Sequence, residues 1–254
     1  MDRKSVIITD VDNTLFDWFE MWHLTFGAMF DEIVRISGID AETLKAEIKI
    51  VHQLHGTSEY AFLLEELPSI RKRFPHENLL ELFSPAIEAF RNARRSTLRL
   101  YDGVAEALTE LRNRGVVVAA YTESQAFYSN YRFRKLGLDG LIDHLFSPPD
   151  HEIPEGQTRL SIRAKAPSEY KLKQTAHHTT PKGEIKPNPE LLRQIIRDLG
   201  ALPDQVVYVG DSLFKDIAMA QDAGVLDALA SYGASHTKEE YKLLVDVTHW
   251  TDED

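Results

Sequence analysis

The chain has 254 residues, 43% of them hydrophobic, and a net charge of −11. That is enough apolar sequence for one large domain or a core with a subdomain, and too much for a disordered chain. The charge argues against nucleic-acid binding as the main role. The absence of cysteine excludes disulfides and thiolate metal sites.

The N-terminal MDRKSVIITD meets acidic residues too early for a secretory signal, and no apolar run approaches the length of a membrane span. The expectation is a soluble cytoplasmic protein, a monomer or a homodimer.

Val6, Ile7, Ile8 and Thr9 read as a short buried strand, followed directly by Asp10 and Asp12. In extended chain, residues i and i+2 point to the same side, so two acids at a strand end repel each other and lose water. Something must offset that cost.

From Asp17 to Thr97 the sequence reads as helices. One carries Phe19, Trp22, Phe26 and Phe30. A second spans about Ala41 to Leu54, with Asp40 as cap, and others lie near 59–67 and 79–93. Trp18, Trp22 and Phe26 fall at i, i+4 and i+8. They read as helix core, with an aromatic platform for a base or sugar as the alternative. HQLHGTSEY, with His52, His55, Ser58 and Tyr60, is a weaker candidate contact region. Arg94 and Arg95 read as hinge or solvent residues.

Beyond residue 98 strands and helices alternate. The helices cover 103–114, 125–136, 189–199 and 213–223. The strands are VVVAAY at 116–121, VVYV at 206–209 and 225–230. That alternation indicates a parallel α/β sheet, with residues 17–97 as a helical insertion and residues 1–16 and 98–254 as the core. Residues 147–185 are irregular and carry Lys165, Lys171, Lys173, His177 and His178. They suit a loop, a small hairpin or a lid, with a solvated excursion the favoured reading.

Chemistry in such sheets collects beyond the carboxyl ends of the strands. Asp10 and Asp12 follow the first strand. Thr122, Glu123 and Ser124 follow VVVAAY, and Gly210, Asp211 and Asp216 follow VVYV. Lys186 precedes the helix that leads into VVYV. Four carboxylates, a hydroxyl and a lysine would then meet at one edge. A hard cation such as Mg²⁺ would offset the repulsion and let the pocket accept a phosphate.

DVDNT, Thr122, Lys186 and GDSLFKD, in that order over residues 10–216, resemble the four motifs of the haloacid dehalogenase-like superfamily. The resemblance implies a Rossmann-like core with a helical C1-type cap. It implies Asp10 as nucleophile, Asp12 as general acid and base, Thr122 as a phosphoryl hydrogen-bond donor and Lys186 as charge neutraliser. It further implies Mg²⁺ held by Asp10, the backbone carbonyl of Asp12, Asp211 and Asp216. Substrate contacts would come from Thr122, Glu123, Lys186 and Trp18.

Asp12 separates the phosphatase branches of the superfamily from the dehalogenase and phosphonatase branches, which lack it. The implied activity is hydrolysis of a small phosphorylated metabolite through an aspartyl-phosphate. A phosphomutase, a nucleotidase and a non-catalytic binding protein are the alternatives. Glu123 stands where many relatives carry Asn, and it is harmless to phosphate binding if it faces away from the pocket.

Overall fold

The computed structural model describes residues 4–156, 158, 163, 165–235, 238–248 and 250. The chain divides into two compact units, 1–18 with 98–234 and 19–97 with 235–254.

The first unit is built on a six-stranded parallel sheet of order β4-β3-β2-β1-β5-β6. Its strands are β1 (Val6–Thr9), β2 (Val117–Tyr121), β3 (His144–Ser147), β4 (Ala176–Thr179), β5 (Val206–Gly210) and β6 (Leu226–Leu229). Central β1 pairs with β2 on one side, Val6 opposite Val117, and with β5 on the other, Val6 opposite Val206. A strand buried on both faces needs an unbroken apolar run, and VIIT and VVAAY supply it.

The chain builds outward from β1 through β2, β3 and β4, then returns to the other side of β1 for β5 and β6. The order therefore reverses between β1 and β5, the kind of switch point beyond which parallel sheets bind ligands. Val6, Ile8, Ala119, Tyr121, Val206 and Tyr208 pack with Leu192, Ile195 and Ile196 of a helix at Pro189–Asp198. Asn188 caps that helix by accepting from Leu191 N–H at 2.9 Å, and Pro189 fills its first position. A cap of this kind is worth about 1 kcal/mol.

The described part of 147–185 is more than a solvated excursion. It contains β4, which runs parallel to β3, with His144 opposite Ala176 and Ser147 opposite Thr179. The segment widens the sheet instead of forming a hairpin. His177 bonds Ser147 Oγ at 2.8 Å, and His178 bonds His144 at 3.0 Å. Lys165 pairs with Glu169 at 3.6 Å, and the Lys173 amide donates to Asp139. Residues 157, 159–162 and 164 lie outside the described residues.

The second unit is helical. Its long helices are α1 (Trp18–Ser37), which starts in the first unit, and α2 (Ala41–His55), capped by Asp40 through Thr43 N–H at 3.0 Å. The expected helix near 59–67 starts later and ends at Glu66, and the one near 79–93 is interrupted. Shorter ones cover Leu63–Glu66, Pro68–Arg73, Leu79–Leu82 and Ser84–Thr97. Proline pushes Leu67 into extended backbone and restarts the helix at Pro68.

The described residues beyond 234 (235, 238–248 and 250) group with this unit, whereas the sequence reading placed 98–254 in the core. Tyr241 lies against Phe19, Val245 O accepts from Lys49, and Val247 O bonds the His52 ring at 2.7 Å. The expectation followed chain continuity, and the side-chain contacts run elsewhere. Among the described residues no helix is long and apolar enough to cross a membrane.

Candidate active site

The candidate site is assembled where β1, β2 and β5 end. Asp10 leaves β1 with its amide donating to Val209 O at 2.7 Å, which fixes it beside the end of β5. Asp211 follows β5 directly. Asp216 comes from a wide π turn at Leu213–Ala218, in which both Asp216 N–H and Ile217 N–H reach Ser212 O, at 3.0 and 3.1 Å. That turn folds the Asp216 carboxylate back against Gly210, where any Cβ would overlap it. Carboxylate oxygens of Asp10, Asp211 and Asp216 lie within 4.8 Å of one another.

Lys186 enters this group from the loop ahead of the Pro189–Asp198 helix. Its Nζ donates to Asp10 Oδ1 at 2.5 Å and to Asp216 Oδ1 at 2.9 Å. Tyr208 OH donates to the same Asp216 oxygen at 2.9 Å, and Ser212 N–H reaches Asp216 Oδ2 at 3.1 Å. Lys186 also sits 4.9 and 5.6 Å from the ring centres of Tyr121 and Tyr208, whose π faces favour a cation. Its side chain is 2% exposed, so little of its charge is screened by water.

The electrostatics follow from two buried acids and a half-buried one facing one ammonium. Burial pushes the Asp10 carboxyl well above the usual carboxylate range. Lys186 works against that shift, and Asp216, Asp211 and Asp12 add to it. Burial and Asp216 push Asp211 up to about 7, against the pull of Lys186. Burial alone would lower Lys186, but Asp10 and Asp216 hold it well above the ordinary lysine value.

The cluster thus gathers three carboxyls around one ammonium and offers a set of hard oxygen donors, which fits a divalent cation of the Mg²⁺ class. Asp216 already accepts three hydrogen bonds, so Asp10 and Asp211 have the more available oxygens.

The Asp12 side chain lies outside this group. Its Oδ2 accepts from Ser124 Oγ at 2.6 Å and Thr122 Oγ1 at 3.2 Å, and its Oδ1 faces Arg132 Nη1 at 3.3 Å. The two acids of DVD, one residue apart in sequence, are therefore held by different partners. Asp10 is tied to a lysine in the acid cluster, and Asp12 to two hydroxyls and a guanidinium.

A family profile described as haloacid dehalogenase-like hydrolase matches residues 4–224. The chain belongs to this family. A glyceraldehyde 3-phosphate phosphatase of Pyrococcus furiosus is 20% identical over 251 residues, covering 97% of this chain and 89% of that protein. One of the same name from Methanopyrus kandleri is 28% identical over 146 residues, 58% of this chain. The match spans about half (49%) of that relative's length. Among solved structures, a 2-haloacid dehalogenase from Pseudomonas syringae superposes with a TM-score of 0.56 at 17% identity. It covers 92% of this chain and 90% of its own, and so shares the fold.

Within this haloacid dehalogenase-like hydrolase, Glu123 is engaged by the protein itself. Its Oε1 accepts from the Lys186 backbone N–H at 3.1 Å, and its Oε2 faces Lys215 Nζ at 3.4 Å. Trp18 is buried, at 6% exposure. Trp22 and Phe26 stack at 5.0 Å, and Trp22 Nε1 donates to Ser58 O, so these rings are core of the helical unit, as the helical spacing suggests.

His52 is buried on Val247 O, while His55 and Tyr60 stack on each other and both bond Glu66. Arg94 lies over Phe90, and Arg95 bonds Asn92.

Sequence reasoning missed Arg132, Tyr208 and Lys215, and gave Ser124 no role. Arg132 shares the buried face of the helix at Ala126–Lys135 with Ser129 and Phe133, an inward stripe that only the fold reveals.

Proposed function

We propose that this enzyme is a Mg²⁺-dependent phosphomonoesterase acting on a small phosphorylated metabolite through an aspartyl-phosphate. The observation that carries the reading is the difference in surroundings between Asp10 and Asp12. One is tied to Lys186 beside two further acids, and the other is held apart by Thr122, Ser124 and Arg132.

Asp10 attacks phosphorus as the ester P–O bond breaks, and Asp12 delivers a proton to the departing oxygen. Water then attacks the aspartyl-phosphate, with Asp12 taking its proton, and phosphate leaves. Lys186 holds Asp10 and neutralises the transferring group, and Thr122 donates to it. Asp10 and Asp211, with Asp216 behind them, would hold the cation, which when bound supplies charge neutralisation at the phosphoryl oxygens.

The names of the relatives make a triose phosphate a first candidate. Phosphoglycolate, sugar phosphates and nucleoside monophosphates belong on the same panel. A mutase would use the same acids and would need a bisphosphate activator.

The test is phosphate release from that panel with Mg²⁺ and with chelator. Release from a narrow subset, abolished by chelation and by Asp10→Asn, is expected. A protein inert toward every ester would overturn the reading.

A further inference from the structure

Arg132 is a buried cation that touches the proton-transfer residue and has no part in the scheme above. Its residue exposure is 2%, and its guanidinium lies 5.5 Å from the ring centre of Phe16 and 5.7 Å from that of Tyr128. Phe16 is fully buried and bridges back to Asp12 within the same turn. A guanidinium held over two aromatic faces is fixed in orientation.

Its hydrogen bonds carry directional information. Arg132 Nη1 donates to Ser124 Oγ at 2.8 Å, and the same Nη1 lies 3.3 Å from Asp12 Oδ1. A guanidinium has donors only, so Ser124 Oγ must accept from it. The Ser124 hydroxyl hydrogen is then free to point only at its other neighbour, Asp12 Oδ2, 2.6 Å away. Thr122 is constrained the same way. Its Oγ1 accepts from Ser124 N–H at 3.0 Å, which leaves its hydrogen for Asp12 Oδ2 at 3.2 Å. Two hydroxyls therefore donate to one oxygen of the Asp12 carboxyl and a guanidinium faces the other, which holds the group in a single orientation.

We infer that Arg132, both directly and through Ser124, is a positioning residue that fixes the Asp12 carboxyl in one orientation. This rests on the phosphatase reading and deepens it. Asp12 still donates a proton to the leaving oxygen as the P–O bond breaks, and regains one from the attacking water. Arg132 and Ser124 gain and lose no proton.

The experiment compares kcat/KM for two esters under Mg²⁺. An alkyl phosphate needs a proton on its leaving oxygen, and 2,4-dinitrophenyl phosphate does not. Arg132→Gln is expected to cost about 10- to 100-fold on the alkyl ester and less than about threefold on the activated one. In an Asp12→Asn background the same substitution is expected to cost no more than about threefold on either ester, because its route to the reaction is gone.

Ser124→Ala, a far smaller change, is expected to show the same leaving-group dependence, and carries the test if Arg132→Gln does not fold. Equal losses on both esters, or an undiminished loss in the Asp12→Asn background, would show a merely structural role and overturn the inference. A parent protein that releases phosphate from neither ester would overturn the phosphatase reading and this inference with it.

Discussion

At the scale of single residues, DVDNT encodes two acids that are neighbours in sequence and strangers in environment. Asp10 shares Lys186 with Asp216, while Asp12 leans on Ser124, Thr122 and Arg132. The Asp12 side chain lies outside the acid cluster, so Asp12→Asn should leave cation binding intact and slow turnover of an alkyl phosphate by about 10²- to 10⁴-fold. Calorimetric Mg²⁺ titration alongside steady-state rates checks both halves, and near-normal turnover would remove Asp12 from proton transfer. These acids, Thr122 and Lys186 were legible because each follows a strand or precedes a helix whose apolar pattern is strong. Arg132 was not, because a lysine- and arginine-bearing helix reads as solvated until the burial of one particular face is known. Glu123 was ambiguous for a related reason: its partners, the Lys186 amide and Lys215, are 63 and 92 residues away in sequence.

At the scale of elements, β1, β2 and β5 were readable from continuous apolar runs, and β6 was read although Asp227 interrupts it. β3 and β4 were not, because HLFS is short and AHHT is a polar edge strand whose pairing is decided by backbone alone. The π turn after β5 was also invisible, since LFKDIAMA has ordinary helical character. That turn makes Gly210 a critical position. Gly210→Ala would drive a methyl into the Asp216 carboxylate and loosen its hold on Lys186. We expect a loss of about 1–3 kcal/mol in stability from overpacking and at least a tenfold fall in turnover, read from melting curves and phosphate release. Unchanged activity would mean that Asp216 does not position Lys186.

The helical unit holds a second element-scale test. Both Glu65 carboxylate oxygens are shut off from solvent, and burial pushes this group up, against its own backbone N–H and the Arg71 charge. A carboxyl raised in the folded state is protonated in both states at low pH and costs stability once the unfolded chain ionises. Glu65→Gln should therefore raise the melting temperature at pH 8, with the gain fading toward pH 4. An equal gain at both pH values would exclude ionisation as its cause.

At the scale of the whole molecule, the acid cluster links folding, pH and cation. Asp211 is held near 7 by burial and Asp216, against an unfolded value near 3.9, and Asp10 is raised as well. Between those values the unfolded chain has lost protons that the folded chain keeps, so rising pH favours the unfolded state. Stability of the cation-free protein should fall as pH rises from about 4 through 7, the window set by Asp211. A divalent cation bound to the folded state removes the reason for the protons to stay. It should displace them on binding at pH 6, and displace fewer at pH 8, where Asp211 is already ionised. Saturating Mg²⁺ should therefore raise the melting temperature more at pH 8 than at pH 5, since free energy gained by ligation grows with the ratio of ligand to dissociation constant. Melting curves across pH, with Mg²⁺ and with chelator, read the effect directly. Proton release follows from calorimetry in buffers of different ionisation enthalpy. A Mg²⁺ shift that is the same at every pH would mean that the cation binds away from Asp10 and Asp211.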